Sequence, residues 1–366
     1  MNSEPRIAFI VDPLVPLGGA EKVLFAALEA FPYADIFTLV YNKPVFSNTP
    51  LALREIKTSR LDSFPFVQHY HRYLLPFMPA AVERFDLRAY DTIVSFNYAV
   101  ANGAKNFNGA RHVSYTHTPM RYAWTGLNIN GTHSHKNRIV SAYLRRFREW
   151  DKQAASRVHA IATNSHNVCR RIRLAYEREA RVIYPPVETE RFHPSHSREN
   201  YFIALTRLVK HKRVDLLVQS FNQLNLPLII IGDGPELPRL KAMANSNIKF
   251  LGFQSDETVA ELLGKARAFV CAAEEDFGIA IVEAQAAGCP VITYGAGGAL
   301  ETVIEGVTGV LFREQSVSCI MDAVERFDHN ETAFVSNELA KNAKRFSKDR
   351  FLREFIEFVQ CDPANT

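Results

Sequence analysis

The stretch Glu275-Asp276-Phe277-Gly278-Ile279-Ala280-Ile281-Val282-Glu283, followed by Ala284-Gln285-Ala286-Ala287-Gly288, decides the reading of this chain. Just upstream, Ala266 to Ala273 is a short apolar run with the length and bounds of a buried strand. Ile279 to Ala287 reads as a helix closed by Gly288, and Gly288-Cys289-Pro290-Val291-Ile292-Thr293 leads into the next strand. The first glutamate therefore falls on a strand-to-helix loop and the second on the helix, about two turns further along. Backbone N–H groups of the Phe277-Gly278-Ile279 turn point out of the helix start, where an anion is favoured. Most glutamates are solvated and most small-residue helices only pack on a sheet. The spacing gains weight from the strand before it, the glycine at the turn and the strand after it. One compact unit thus offers phosphate-binding amides and two acceptors for hydroxyl groups, the two needs of a sugar nucleotide.

A chain of 366 residues exceeds one ordinary core and predicts two domains of similar size. Hydrophobic content of 47% with 22% charged residues is that of a globular protein outside the membrane. The net charge of +4 suits anionic substrates or a membrane surface without requiring either. Cys169, Cys271, Cys289, Cys319 and Cys361 form no CxxC pair and read as free thiols of a reducing compartment; no zinc-ligand pattern is present. Met1-Asn2-Ser3-Glu4-Pro5 runs directly into Arg6–Val11, unlike a signal peptide, and no apolar run approaches the ~20 residues that span a bilayer. The expected location is the cytoplasm, with peripheral contact at the inner face of the membrane as the alternative.

Strands and helices alternate twice. The first series has strands at 6–11, 34–40, 92–96, 111–115 and 159–163, with helices at 20–30, 64–85 and 138–156. Tyr184-Pro185-Pro186 breaks it, because paired prolines continue neither a helix nor a central strand. The second series has strands at 201–205, 228–231, 248–251, 268–272, 291–293 and 309–312, with helices at 213–222 and 235–244. An amphipathic closing helix follows from Ser347, with Phe351, Phe355, Ile356 and Phe358 on its apolar side. The pattern predicts α/β architecture: two Rossmann-like domains facing across a cleft, residues 1–184 joined by 347–366, and residues 185–346. The loop after the first strand, Asp12 to Glu21, is not GxGxxG, which disfavours a nicotinamide or flavin enzyme; GxxxxGK[ST] is absent as well.

Five signals in order give the chain a resemblance to the retaining glycosyltransferases of family 4, which have the GT-B fold. They are Gly18-Gly19-Ala20-Glu21, His117-Thr118-Pro119, Arg207 with Lys212, Gly232-Asp233-Gly234-Pro235-Glu236, and the Glu275/Glu283 pair. Breaking a sugar–diphosphate bond builds negative charge on the departing phosphate, so cations must be aimed at it. The resemblance implies that Arg207 and Lys212 hold the diphosphate, with Gly18 and Gly19 allowing its close approach. Lys210, His211 and Arg213 crowd the same loop, which makes Arg207 the firmer choice of the two cations. It also implies that Gly232 and Gly234 turn near the nucleotide and that Phe253 borders the base. Glu283 accepts from the ribose, Glu275 faces the donor sugar beside the amides of Phe277, Gly278 and Ile279, and His117 contacts that sugar near the reacting carbon. The implied mechanism retains anomeric configuration, with the leaving phosphate helping to deprotonate the acceptor, no protein nucleophile and no metal or other cofactor.

Within that family, Tyr70 to Pro79 and His117 to Trp124 resemble mannosyltransferases that build bacterial exopolysaccharide and O-antigen units. The resemblance implies a GDP- or UDP-hexose donor bound by residues 185–346. It also implies a glycan acceptor, commonly lipid-linked, bound by residues 1–184, and no nucleic acid. Two stretches that interleave cations with aromatics, Phe64–Phe77 and Arg138–Trp150, fit an anionic membrane interface. Each equally fits a helix with one buried face and one solvated basic face. Thr132-His133-Ser134-His135 falls in a loop over the expected cleft. The rival readings are a non-catalytic nucleotide-sugar sensor or scaffold and a sugar-nucleotide epimerase of the same fold. A glucan phosphorylase lacks its pyridoxal-phosphate lysine motif here.

Overall fold

The computed structural model describes residues 5–124, 138–194 and 198–361; Thr132–His135 therefore lies outside the described residues. The chain divides into two compact units, one of Met1–Tyr184 with Leu352–Thr366, the other of Pro185–Phe351.

In the first unit, seven parallel strands are β1 (Ile7–Val11), β2 (Asp35–Thr38), β3 (Ile56–Thr58), β4 (Thr92–Asn97), β5 (Arg111–Thr116), β6 (Ala160–Thr163) and β7 (Arg181–Val182), in the order β3-β2-β1-β4-β5-β6-β7. Their near-continuous burial reflects helices on both faces of the sheet. The order reverses between β1 and β4, which pair from Ile7↔Thr92 to Val11↔Phe96, and the loops beyond their C-terminal ends part there. One residue ties them together. The buried Asp12 carboxylate accepts from the backbone N–H groups of Tyr98, Ala99, Val100 and Ala101 at 2.6–3.1 Å. Burial nevertheless pushes its carboxyl up to about 6, outweighing the four donors that favour the ionised form.

The helix Lys348–Gln360 returns the chain to this unit from Leu352 onward. Phe355 packs on Phe31, Phe96 and Tyr115 at ring centroid separations of 6.0–6.3 Å. Arg111 donates to the carbonyls of Phe358 and Val359, filling orphan acceptors of the last turn.

The helix Arg138–Ser156 buries Leu144 and Phe147, while Trp150 donates to Glu83 Oε1 at 2.7 Å. Its aromatics thus face inward, and Arg145 and Arg146 face outward. On the same helix Asp151 is fully buried and accepts from Trp124 Nε1 (2.7 Å) and Tyr176 OH (3.0 Å). Burial pushes its carboxyl up to about 7, with the charge of Asp12 adding to the rise.

Two readings of this unit need correction. Phe64–Phe85 is not one helix: Phe66 takes a left-handed φ of 55°, and Val67–Tyr70, a 3-10 segment His71–Phe77 and Met78–Val82 follow as separate pieces. Pro65, Pro76 and Pro79 account for the breaks, each lacking an N–H and crowding the preceding turn. The 3-10 segment buries none of its residues, and Phe64, Phe66, Tyr73 and Phe77 are all more than half exposed. Strands β3 and β7, at the two sheet edges, are three and two residues long, too short to show a period.

The second unit repeats the plan with β8 (Phe202–Leu205), β9 (Leu228–Ile231), β10 (Ile248–Gly252), β11 (Ala268–Cys271), β12 (Val291–Tyr294) and β13 (Gly309–Phe312), ordered β10-β9-β8-β11-β12-β13. All pairs are parallel, around a core that includes Phe202, Phe221 and Phe327. The reversal lies between β8 and β11. The loop after β9 is locked against the loop after β8: Leu208 N donates to Asp233 O (2.8 Å) and Glu236 N to Leu208 O (3.0 Å). Gly232 (φ 127°) and Gly234 (φ 157°) press on this backbone, and a Cβ on them would collide with the carbonyl oxygens of Thr206 and Leu208.

Two outcomes test these locks. Gly232→Ala should lower the unfolding free energy of the second unit, read from urea denaturation, by roughly 2 kcal/mol or more, combining a backbone conformation reserved for glycine with a collision. Gly306→Ala, at φ 74° in open space, should cost only the strain, about 1 kcal/mol. Circular dichroism across a urea series compares them, and equal losses would mean the loop contact adds nothing.

For Asp151, the folded value lies above the ordinary 3.8, so between about pH 4 and 7 the folded state binds more protons than the unfolded one. Its contribution therefore falls as pH rises through that window, by up to roughly 1 kcal/mol per unit, and is flat above it. Asp151→Asn keeps an acceptor for Trp124 and Tyr176 and should gain on the wild type steadily from pH 4.5 to 7.5. Both tryptophans of the chain, Trp124 and Trp150, belong to this unit, so denaturation followed by tryptophan fluorescence reads it selectively. A pH-independent difference would mean Asp151 is ionised throughout.

Candidate functional site

The parting of the loops beyond β8 and β11 in the second unit brings together residues 63 positions apart in sequence. After β8 the chain runs through Arg207 into a 3-10 turn, Lys210–Lys212, which ends at Arg213 in the left-handed region (φ 51°) before the helix Val214–Leu224. That conformation costs a non-glycine residue of order 1 kcal/mol, and it sets Lys212 at the end of the turn. After β11 the chain runs through Ala272–Gly278 into the helix Ile279–Ala286. Lys212 Nζ meets both oxygens of Glu275, at 2.7 and 2.6 Å. The two side chains are only 16% and 18% exposed, so the pair is shielded from the screening that weakens surface ion pairs.

Glu275 is fixed through its backbone. It bridges Gly297 of the loop after β12, and its carbonyl accepts from Gly298 N at 2.8 Å. A side chain on Gly297 or Gly298 would collide with the backbone of Glu275–Phe277, so this loop is a glycine-dependent backing plate for the carboxylate. Sequence reasoning missed it, although Tyr294-Gly295-Ala296-Gly297-Gly298 directly after a strand carried the signal. The Phe277 side chain is buried and packs edge-on against Phe346 at 5.3 Å, anchoring the turn. Gly278 (φ 91°) starts the helix, and among the described residues none accepts from the N–H groups of Gly278 or Ile279. Cys271, beneath the turn, has its thiol pushed up to about 12 by burial and by the Glu275 carboxylate, so it stays protonated.

Just over one turn into the helix, Glu283 is buried, with 6% of its side chain exposed, and Arg191 Nη2 lies 3.3 Å from its Oε1. Arg191 belongs to the short turn Thr189–Arg191, and its other Nη bonds Asp256, in the first turn of the helix Asp256–Lys265. The helix end follows the Schellman pattern, Gly288 N to Gln285 O and Cys289 N to Ala284 O, both at 2.9 Å. Gln285 donates to Thr302 O and accepts from Asn342, fixing the helix axially.

The sequence-derived residues therefore separate into groups. Lys212 and Glu275 are in contact; Phe277, Gly278 and Ile279 form the adjoining turn; Glu283 lies further along the same helix. Gly232 and Gly234 form the loop locked behind the β8 loop. Arg207 is exposed and Phe253 is 82% exposed. Among the crowded cations, Lys210 is exposed and Arg213 faces Asp215 at 3.5 Å, leaving Lys212 as the one turned to Glu275. Gly18, Gly19 and His117 belong to the first unit. Gly18 is the extended residue before the helix Gly19–Ala30. His117 is 9% exposed, its N–H bonding Asn97 O (2.8 Å) and its carbonyl accepting from Asn164 (3.0 Å). Arg191 was not read as a site residue; nothing in its local sequence announces it.

Comparison with known proteins adds the family. The profile described as "Glycosyltransferase Family 4" matches residues 17–191, and that described as "Glycosyl transferases group 1" matches residues 187–349. A GDP-mannose-dependent alpha-(1-6)-phosphatidylinositol monomannoside mannosyltransferase of Mycobacterium tuberculosis is 33% identical over 38% of this chain and 44% of its own. N-acetyl-alpha-D-glucosaminyl L-malate synthase of Bacillus anthracis is 29% identical over 43% of this chain and 44% of its own. The chain thus spans a little under half the length of these curated relatives. Among solved structures, Anabaena HepE in complex with UDP and glucose superposes with a TM-score of 0.75 at 20% identity, covering 98% of this chain and 100% of that one. Sucrose-phosphate synthase from Thermosynechococcus elongatus gives 0.76 at 16% identity, covering 96% and 98%. With two successive family profiles running from residue 17 to residue 349 and GT-B proteins as its structural neighbours, the chain belongs to the family-4-like glycosyltransferases of GT-B fold.

Proposed function

We propose that the protein is a retaining hexosyltransferase, moving mannose or glucose from a GDP- or UDP-sugar to a glycan acceptor, lipid-linked, in polysaccharide biosynthesis. The observation that carries this reading is the Lys212–Glu275 pair at the strand-order reversal, next to a helix start whose Gly278 and Ile279 amides have no acceptor among the described residues. The relatives named as GDP-mannose-dependent mannosyltransferases and the UDP-bound neighbour support the donor class.

In this reading the pair is the resting state of the donor site. The arriving diphosphate takes Lys212, joined by Arg207 and the amides of Phe277, Gly278 and Ile279. Glu275, released from its cation, accepts from hydroxyls of the hexose. Glu283 accepts from the ribose, Phe253 flanks the base, and Gly232 and Gly234 shape the nucleotide side. Gly18 and Gly19 serve the diphosphate, and His117 the donor sugar near the reacting carbon. Residues 185–346 then bind the donor and residues 1–184 the acceptor. The cations stabilise the charge on the leaving phosphate, which takes the acceptor proton without a protein nucleophile. Transfer proceeds without metal; undiminished turnover in EDTA is the expected outcome.

The exposed Phe64, Phe66, Tyr73 and Phe77, with Arg60 and Arg72 near them in sequence, support peripheral contact with an anionic membrane. Among the described residues no helix is long and apolar enough to cross a membrane. Flotation with anionic liposomes should show salt-sensitive binding, lost in a Phe66→Ser/Phe77→Ser variant; binding unchanged in that variant would place the contact elsewhere.

Glu275→Ala should reduce transfer at least roughly 100-fold while nucleoside diphosphate binding stays within about threefold or tightens, because Lys212 is freed. Donor screening by thermal shift and hydrolysis with GDP-mannose and UDP-glucose, followed by calorimetry on the variant, checks this. Full turnover by Glu275→Ala would sink its role, and donor binding without hydrolysis or transfer in the wild type would favour a sensor.

A further inference from the structure

Arg191 occupies a position that the donor-site residues do not explain. It lies at the end of the turn Thr189–Arg191, seven residues beyond Tyr184, where the second unit begins. Its guanidinium stacks on the Phe192 ring at 4.7 Å, one Nη faces Glu283 and the other Asp256, and its Nε is buried without an acceptor among the described residues. The two ion pairs differ in kind. Asp256 is 67% exposed, where a pair contributes little. Glu283 is 6% exposed, where a carboxylate without a counter-charge is strongly disfavoured.

The surroundings give this difference a use. Asp256 opens the helix Asp256–Lys265, capped by Ser255, two residues after the exposed Phe253. Glu283 sits on the helix of the phosphate-side turn. One guanidinium therefore ties the segment after β10 to the carboxylate five residues past the Gly278 start. A structural brace between these helices could be apolar; a charged fork aimed at a buried carboxylate fixes its orientation.

We propose that Arg191 is a positioning residue for donor binding: it holds the Glu283 carboxylate in the orientation that accepts from the ribose hydroxyls, and so sets discrimination for ribose. The inference rests on the reading of Glu283 as the ribose acceptor. Removing the guanidinium leaves Glu283 without its fork and free to turn, and the preference for hydroxylated ribose is lost while phosphate contacts are untouched.

Titration calorimetry on the full chain with GDP and UDP, each against its 2′,3′-dideoxy form, tests this, with the unfolding temperature recorded for each variant. The wild type should prefer the ribo form of its nucleotide by roughly tenfold or more, the scale of charge-assisted hydrogen bonds. Arg191→Met, which retains the stem over Phe192, should cut that preference to about two- to threefold, with dideoxy affinity within about twofold of wild type. Arg191→Lys, unable to bridge both carboxylates, should fall between them, and it carries the test if the methionine variant does not fold. An unchanged preference in either folded variant overturns the proposal. So does a parallel weakening of ribo and dideoxy forms, the mark of a purely structural tie. A wild type with no ribose preference overturns the Glu283 reading itself and this inference with it.

Discussion

Right-handed crossover between parallel strands is the constraint on which everything else here depends. A chain that lays strands on both sides of its first strand must reverse direction once, and the two loops at the reversal part from one another. Each unit meets this gap in its own way. The first closes it with a single buried carboxylate, Asp12, which gathers four backbone donors. The second leaves it polar and furnished, with a cation from one loop facing a carboxylate from the other. The same topology thus yields a joint closed by backbone donors in one sheet and a side-chain ion pair in the other.

In the second gap the charges are neutralised locally. Two partly or fully buried carboxylates eight positions apart would be costly if bare. Each instead has its own cation, Lys212 for Glu275 and Arg191 for Glu283. The two cations are not equivalent. A lysine is a compact charge on a flexible stem and can be handed to another anion, whereas an arginine fork held by two carboxylates and an aromatic face resists being moved. The arrangement divides a site into one exchangeable pair and one fixed pair.

What the sequence disclosed follows from how local each signal is. Glu275, Gly278 and Glu283 share one strand–turn–helix, so their placement was legible from the spacing together with the strands that flank it. The strands of both sheets were legible as apolar runs, except β3 and β7, whose two or three residues give no pattern to count. The proline-broken segment 64–85 misled because apolar content was read without giving Pro65, Pro76 and Pro79 their weight. Non-local partners stayed hidden. Choosing Lys212 over its basic neighbours depends on a left-handed Arg213, a conformation no propensity announces. Gly297 and Gly298 matter only because of what they touch, and Arg191 reaches Glu283 across 92 positions.

The pairing of the two connecting segments carries a consequence for recombination. Val187 N donates to Phe346 O and Lys348 N to Val187 O, so the chain's entry and exit strands lie side by side. Phe346 in turn packs on Phe277, and Arg191 on Glu283. The borders of the second unit as a transplantable module are therefore dictated by chemistry rather than by compactness. A chimera cut after residue 192 or before residue 346 would separate the turn at Phe277 and its helix from their own staples, whereas cuts at Pro185 and after Phe351 would carry them along. Exchange of such units between relatives, in evolution or in the laboratory, is expected to respect those seams.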